Sequence, residues 1–399
     1  MPPASAPPPP RLAIVLSHPV QYYSPWFRWM AANTAVPLRV FYLWDAGVKP
    51  AHDPQFGQTF AWDVDLLSGY EHEFVPNTAR HPGSDHFGGL RNPGLHARIA
   101  AWRPDAVLLF GYNYATHLRL ILWARLRSLP VIFRGDSHLL GRQHIPWCKA
   151  FPLALLYRQF AAFACVGAAN RDYFLTLGVP PEKLFPVPHC VDAGHFTANS
   201  ERRQEADRLR ASLGLEGRRV ILFAGKLVPA KQPRELLAAF IALAPAGAAL
   251  VFVGDGEERS ALEALASTRP DLPVRFLPFT NQTEMPVRYL LADLFVLPSR
   301  GHYETWGLAV NEAMHLGVPC LASNLVGCQR DLVTDGETGW VFAAEDPAAL
   351  AASLARALAT LSDPAERARI KDALATRIAG YTYAQSTAGL LSALQMTVR

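Results

Sequence analysis

Two glutamates, Glu304 and Glu312, stand eight positions apart in the stretch Arg300-Gly-His-Tyr-Glu304-Thr-Trp-Gly-Leu-Ala-Val-Asn-Glu312-Ala-Met-His-Leu-Gly-Val-Pro319. The apolar run Leu294–Ser299 ahead of them predicts a buried strand that ends in a loop, and a helical pattern follows. A helix starting near Thr305 would put Glu304 at its positive N-terminus and Glu312 about two turns inside. Eight helical residues span roughly 12 Å, about the separation between the two ends of an activated sugar nucleotide. Free backbone N–H groups of the first turn would lie between the carboxylates, where a diphosphate finds donors and a positive dipole. One short element can thus hold a sugar, a diphosphate and a ribose in sequence. Glutamates at this spacing also occur by chance in helices that bind nothing, so the surrounding residues carry the argument.

Basic residues supply the complement. In Gly225-Lys226-Leu-Val-Pro-Ala-Lys231, Lys226 lies just past a predicted strand and Lys231 five residues on, near the next helix start. Two cations at a strand end can neutralise a diphosphate and stabilise it as it leaves. The plainer alternative is a pair of solvated surface lysines.

Taken together, Gly-x-Tyr-Glu-Thr-Trp-Gly-Leu at 301–308, Asn-Glu-Ala-Met at 311–314 and Gly-Val-Pro at 317–319 resemble the E-x7-E signature of retaining glycosyltransferases of family 4. The lysine stretch resembles that family's Gly-Arg/Lys-Leu-x-x-x-Lys pattern. Lys226 stands where many members carry Arg and lacks the bidentate fork. The resemblance implies an α/β GT-B fold, in which two Rossmann-like doubly wound domains face each other across a cleft. It implies that Glu312 holds the ribose hydroxyls and Glu304 the donor-sugar hydroxyls. Lys226 and Lys231 would hold the diphosphate, with backbone amides of Thr305, Trp306, Gly307, Leu308 and Ala309. Gln282, in the loop Thr280–Gln282, would lie near the base. The implied reaction is retaining hexosyl transfer from a UDP- or GDP-sugar to a glycan, lipid-linked or small-molecule acceptor, as in polysaccharide biosynthesis. Neither metal nor cofactor is expected. Glu304, Lys231, Lys226 and His117 are the catalytic candidates. Two other functions suit the same architecture: a nucleotide-sugar 2-epimerase, which converts the donor alone, and a non-catalytic nucleotide-sugar-binding protein.

The first half of the chain carries weaker signals. Arg11–Leu16 predicts a strand, and Ser17–Arg28 a loop entering a helix, the opening of a doubly wound domain. No glycine lies between Ser17 and Arg28, so a glycine-rich loop is not carried over. His18-Pro, with Gln21-Tyr22 after it, resembles the opening of a subset of family 4 proteins. These three residues are acceptor-side candidates, although a His at a strand end can equally bond to backbone. Strands over Asp105–Gly111 and from Pro130 deliver His117 and Asp136 toward the same side, and both are candidates for contacting the acceptor or the reacting sugar. Trp44–Arg91 is long, irregular and rich in Gly, His, Asp and aromatics, which suits a functional loop. Its Asp63-Val-Asp65 alternates with Trp62 and Val64, which favours a strand with solvent-facing acids over a metal site. Gly254-Asp-Gly256 lacks the third glycine of a dinucleotide fingerprint and is expected only to turn a strand into a helix.

Composition marks a proline-rich tail over 1–10, and the βα alternation predicts a first domain over 11–195 and a second over 196–378, with Pro188–Phe196 resembling the hinge that joins the two halves of family 4 enzymes. By resemblance, 379–399 crosses back to the first domain. At 399 residues the chain suffices for two domains. The net charge of +4 suits an anionic small substrate or weak attraction to an anionic membrane, and falls short of a nucleic-acid footprint. Five scattered cysteines with no C-x-x-C pair suggest a reducing compartment. The proline tail is no secretory signal, and the uncharged run Leu236–Val253 is interrupted by Pro245 and Gly247. The expectation is a cytoplasmic protein, open to peripheral membrane contact, with no nucleic-acid partner.

Overall fold

The structure is a computed structural model and describes residues 8–49, 51–53, 58–142, 144–300 and 304–398. Gly301, His302 and Tyr303 of the glutamate stretch, and most of the proline tail, lie outside the described residues. The strands of the first half are β1 (Leu12–Leu16), β2 (Leu38–Tyr42), β3 (Ala51–Asp53), β4 (Gln58–Phe60), β5 (Glu71–Phe74), β6 (Ala106–Phe110), β7 (Val131–Arg134), β8 (Ala162–Cys165) and β9 (Leu184–Pro186). Those of the second half are β10 (Arg219–Ala224), β11 (Ala248–Val253), β12 (Val274–Leu277), β13 (Leu294–Leu297), β14 (Cys320–Ser323) and β15 (Gly339–Phe342).

Runs such as Leu12–Leu16, Ala106–Phe110 and Ala248–Val253 are apolar at every position and buried throughout. Such runs suit parallel strands covered on both faces. Seven strands form one parallel sheet in the order β5-β2-β1-β6-β7-β8-β9, and six form another in the order β12-β11-β10-β13-β14-β15. Each sheet starts near its middle, runs to one edge, then returns past its first strand to the other. The reversal points lie between β1 and β6 and between β10 and β13. Ligands of open α/β sheets bind at such points, beyond the carboxyl ends of the strands.

The Trp44–Arg91 stretch is more ordered than its composition suggested. It contains the antiparallel β3–β4 hairpin and the edge strand β5. Glu71 and His72 of β5 are exposed, so the apolar pattern that marks the central strands is absent. Residues 61–66 form no strand, contrary to the alternation around Asp63 and Asp65. A helix over Trp147–Tyr157 has no counterpart among the sequence expectations, for Pro152 lies inside it. No helix among the described residues is long and apolar enough to cross a membrane.

The terminal helix, Tyr383–Thr397, packs on the first domain. Trp26 Nε1 donates to Thr387 Oγ1 at 2.9 Å, and Ser386 Oγ donates to the Pro188 carbonyl at 2.6 Å. Gly389 presses against β9, where a Cβ would come within 1.7 Å of the Pro186 carbonyl oxygen. Tyr383, Leu390, Ala393 and Leu394 share a core with β1.

Candidate active site

A cavity of about 770 Å³ lies between the two sheets and is lined from both halves of the chain. Its second-domain wall grows out of the strand ends at the β10/β13 reversal. After β10 the chain passes Gly225 and Lys226, and a short 3-10 turn over Pro229–Lys231 ends on the second lysine. Both lysines face the cavity. After β13 the chain reaches Ser299 and then Glu304, which is nearly buried. One Glu304 oxygen, Oε2, accepts from Ser299 Oγ at 2.9 Å and pairs with the Lys231 ammonium.

The helix begins three residues later than expected, over Leu308–His315. Gly307 causes the delay. Its φ of +99° suits glycine, and a Cβ there would meet Val326 Cγ1 at 2.9 Å and Leu297 Cδ2 at 3.0 Å. Glu304 therefore sits in the loop ahead of the helix instead of directly at its N-terminus. Thr305 and Trp306 also belong to that loop. Leu308 and Ala309 open the helix on the cavity wall, where the amides at a helix start lack the usual acceptor four residues back, and the Val310 amide donates to the Gly307 carbonyl at 2.9 Å. Glu312 lies in the second turn.

Glu312 is buried, 3% exposed. The Tyr289 hydroxyl donates to its Oε2 at 2.6 Å, while Oε1 has no hydrogen-bond partner among the described residues. Burial pushes its pKa up to about 7, and the Tyr289 hydrogen bond only partly offsets that. Tyr22 comes from the first domain. The sequence put it on the acceptor side, but the loop after β1 brings its phenol beside Glu312. Burial, with Glu312 nearby, holds the Tyr22 pKa well above its usual value. The backbone carbonyl of Gln282 accepts from His195 Nε2 at 2.8 Å, and Gln282 closes the cavity beside Thr280.

The first-domain wall is more mixed. Gln21 and Asp136 line the cavity. Asp136 Oδ2 accepts from Thr305 Oγ1 across the cleft at 2.7 Å. His18 lines neither this cavity nor its neighbour. Its Nδ1 lies 3.0 Å from Ser17 Oγ, and its ring edge meets Trp44. That contact is to a neighbouring side chain, not to backbone. His117 is fully buried in the first turn of the helix Ala115–Leu126, away from the main cavity. Both its ring nitrogens lack a hydrogen-bond partner among the described residues, and burial lowers its pKa to about 3. The imidazole is neutral at physiological pH, and it faces a side cavity of about 320 Å³ at the β1/β6 reversal. Tyr23, Asp136 and His189 line both cavities, so the two adjoin.

Tyr23, Trp62 and His189 are wall residues the sequence did not single out. His189 follows β9 in the hinge, stacks on Tyr23 and packs against Trp306. Burial, with Arg134 beside it, drives its pKa well below the usual value. A histidine just past a strand end was the available signal. Asp63 proves to be a clasp: its carboxylate accepts the Thr283 N–H at 3.1 Å, and Asn281 Nδ2 donates to the Ala61 carbonyl at 2.8 Å. Asp65 accepts the Leu67 and Ser68 N–H groups and pairs with Arg28. Among the described residues no group of three or more His, Cys, Asp or Glu could hold a metal.

Residues 205–375 match the family model described as Glycosyl transferases group 1. That span carries both glutamates and both lysines. A D-inositol 3-phosphate glycosyltransferase of Thermomonospora curvata is 35% identical over 193 residues, covering 45% of this chain and 44% of the relative. The chain spans about half the length of the curated relatives it matches. A glycosyltransferase of Rickettsia africae superposes with a TM-score of 0.76 at 13% identity, over 98% of this chain and 99% of that one. Anabaena Alr3699/HepE, solved with UDP and glucose, gives a TM-score of 0.71 at 17% identity, over 97% and 99% of the two chains. The fold is GT-B.

Proposed function

We propose that the protein is a retaining glycosyltransferase of the family 4 type, which takes a sugar from a nucleoside-diphosphate donor. One observation carries the reading: Glu304, Glu312, Lys226 and Lys231 line one cavity at the reversal point of the second sheet, with the start of the Leu308–His315 helix between the two carboxylates. A buried carboxylate with an oxygen lacking a partner calls for hydroxyl donors, and a ribose brings two of them to Glu312. The lysines and the helix start supply positive potential for a diphosphate. Its arrival draws Lys231 from Glu304 toward the phosphate oxygens. The carboxylate released from that pair then accepts the donor-sugar hydroxyls.

The acceptor enters from the first domain, past Tyr23 and Asp136, with the side cavity at His117 as its binding space. His117 serves there as a neutral hydrogen-bonding group, because its lowered pKa keeps it unprotonated. Uridine and guanosine diphosphate sugars are the donors of choice for testing, supported by the UDP in the Anabaena neighbour. A small polyol phosphate leads the acceptor classes, supported by the inositol phosphate in the names of the relatives. Glycans and lipid-linked glycans complete the set.

The deciding experiment incubates the protein with each donor, with and without acceptors, and follows the anomeric proton of the product by NMR. The expected result is acceptor-dependent transfer with the donor's anomeric configuration kept. Inverted product would remove the retaining assignment. Conversion of the donor alone would make the protein an epimerase, and binding without turnover would make it a nucleotide-sugar-binding protein.

A further inference from the structure

The outer face of the first domain combines apolar exposure with one sign of charge. Four helices cover this face of the sheet: Leu95–Trp102, Ala115–Leu126, Trp147–Tyr157 and Ala168–Thr176. All contribute to one core cluster. The second and third connect β6 to β7 and β7 to β8, so they are neighbours in that layer. Leu120, Ile121, Ala124 and Tyr157 point inward. Outward, Leu118, Leu122 and Leu126 recur every fourth residue, as do Trp147, Phe151 and Leu155. These six are among nine large apolar side chains exposed in the described residues, and Trp147 is 82% exposed. Single exposed leucines need no explanation, whereas three in line on each of two helices of one layer make an apolar surface of the kind that marks an interaction site.

Charge identifies the partner. Residues 112–171 contain eight Lys and Arg against one acid, Asp136, a net of +7. The rest of the chain contains thirty Lys and Arg against thirty-three acids, a net of −3. Arg119, Arg125, Lys149 and Arg158 are exposed on or at the ends of the two striped helices. The sole carboxylate on the four helices, Asp172, is paired with Arg330 of the second domain. An aromatic and aliphatic patch ringed by unopposed cations matches an anionic bilayer, which takes up the rings at its headgroup level and attracts the cations.

We infer that these two helices dock the protein on anionic lipid surfaces, with Trp147 and Phe151 inserted in the interface and the arginines and lysine among the headgroups. His117 and Leu118 are consecutive, so the docked helix also forms part of the side-cavity wall. The docking itself stands apart from the proposed transfer, because it needs neither donor nor turnover.

The test is co-flotation of the full chain with vesicles of phosphatidylcholine alone and of phosphatidylcholine with phosphatidylglycerol in equal parts. Binding is expected on the mixed vesicles only, weakening as salt is raised. The double variant Trp147→Ser/Phe151→Ser should bind about tenfold more weakly, and Arg119→Ser/Lys149→Ser should lose about tenfold together with most of the salt dependence. Met396→Ser, an exposed apolar residue on the opposite face, should bind like the parent. Melting temperatures and nucleoside-diphosphate thermal shifts should stay unchanged in all three variants, which separates this surface from the donor site. No flotation on either vesicle, or flotation untouched by the variants, would overturn the inference. So would a sedimentation experiment showing that Trp147 and Phe151 instead hold two copies of the chain together.

Discussion

The two walls of the cleft differ in how their residues were assembled. The second-domain wall draws Glu304 and Glu312 from one stretch and Lys226 and Lys231 from another, and all four face the same cavity. The first-domain wall draws single residues from the ends of separate strands. Gln21 and Asp136 reach the cavity, Tyr22 crosses to Glu312, His117 faces a side cavity, and His18 faces neither. A diphosphate and a ribose impose a fixed order of charges and hydroxyls, which a short helix and its lead-in loop can match in sequence. The first-domain residues follow no such order, and their wall depends on where several loops end.

The largest test of this contrast is Glu304→Ala. Removing a group proposed to hold the reacting sugar should lower turnover about a thousandfold and leave nucleoside-diphosphate affinity within about threefold. Calorimetric titration beside kinetics checks both halves, and equal losses would erase the division of labour between the glutamates.

Lys226→Ala and Lys231→Ala come next. Each removes a cation from the wall proposed to hold the diphosphate and should weaken nucleoside-diphosphate binding by about ten- to a hundredfold. Unchanged affinity in both would return the lysines to the plainer reading of surface groups.

Glu312→Gln should weaken the same ligand about tenfold and should also alter the pH response. The native pKa of Glu312 is raised to about 7 from an ordinary 4.5, so the fold favours the protonated carboxyl. Between these values the native state keeps a proton that the unfolded chain has released. The stability tied to that proton is therefore complete below the unfolded value and is lost as pH rises to about 7, an effect of the order of 3 kcal/mol. Thermal unfolding of Glu312→Gln against the parent between pH 4.5 and 7.5 should show the parent losing ground. Ribose hydroxyls favour the ionised carboxylate, so ligand affinity in the parent should rise across the same range and stay flat in the variant.

The smallest effects belong to the first-domain wall. Asp136→Asn should raise the acceptor KM about tenfold and leave donor affinity unchanged. His18→Ala should change activity less than about twofold, since it lines neither cavity. A large loss on His18→Ala would show that the first wall was misjudged.

The sequence was informative where chemistry and local structure shared one period or one contiguous run. Apolar runs from Leu12, Ala106, Val220 and Leu294 lead to strands, and Gly225-Lys226 and Glu304 follow strand ends as their neighbours suggested. It was poor where structure came from distant contacts. Strand β5 is held by pairing with β2 although half its residues are exposed, and the helix Trp147–Tyr157 persists around an internal proline. Nothing local to Asp63 announces that its carboxylate accepts a bond from Thr283, 220 residues away.

By itself, then, the order of residues determined the α/β alternation, the strand ends that bear glutamates and lysines, and the expectation of a two-sheet architecture. Those features depend on side-chain periodicity and on residues within a few positions of each other. Only the tertiary structure decided that Tyr22 meets Glu312, that Lys231 closes on Glu304, that His117 withdraws to a side cavity, and that Gly307 delays the helix to Leu308. Each of those outcomes depends on two segments far apart in the chain arriving at the same place. Burial then sets the ionisation of Glu312 and His117, because desolvation is a property of the assembled interior and has no counterpart in the isolated sequence.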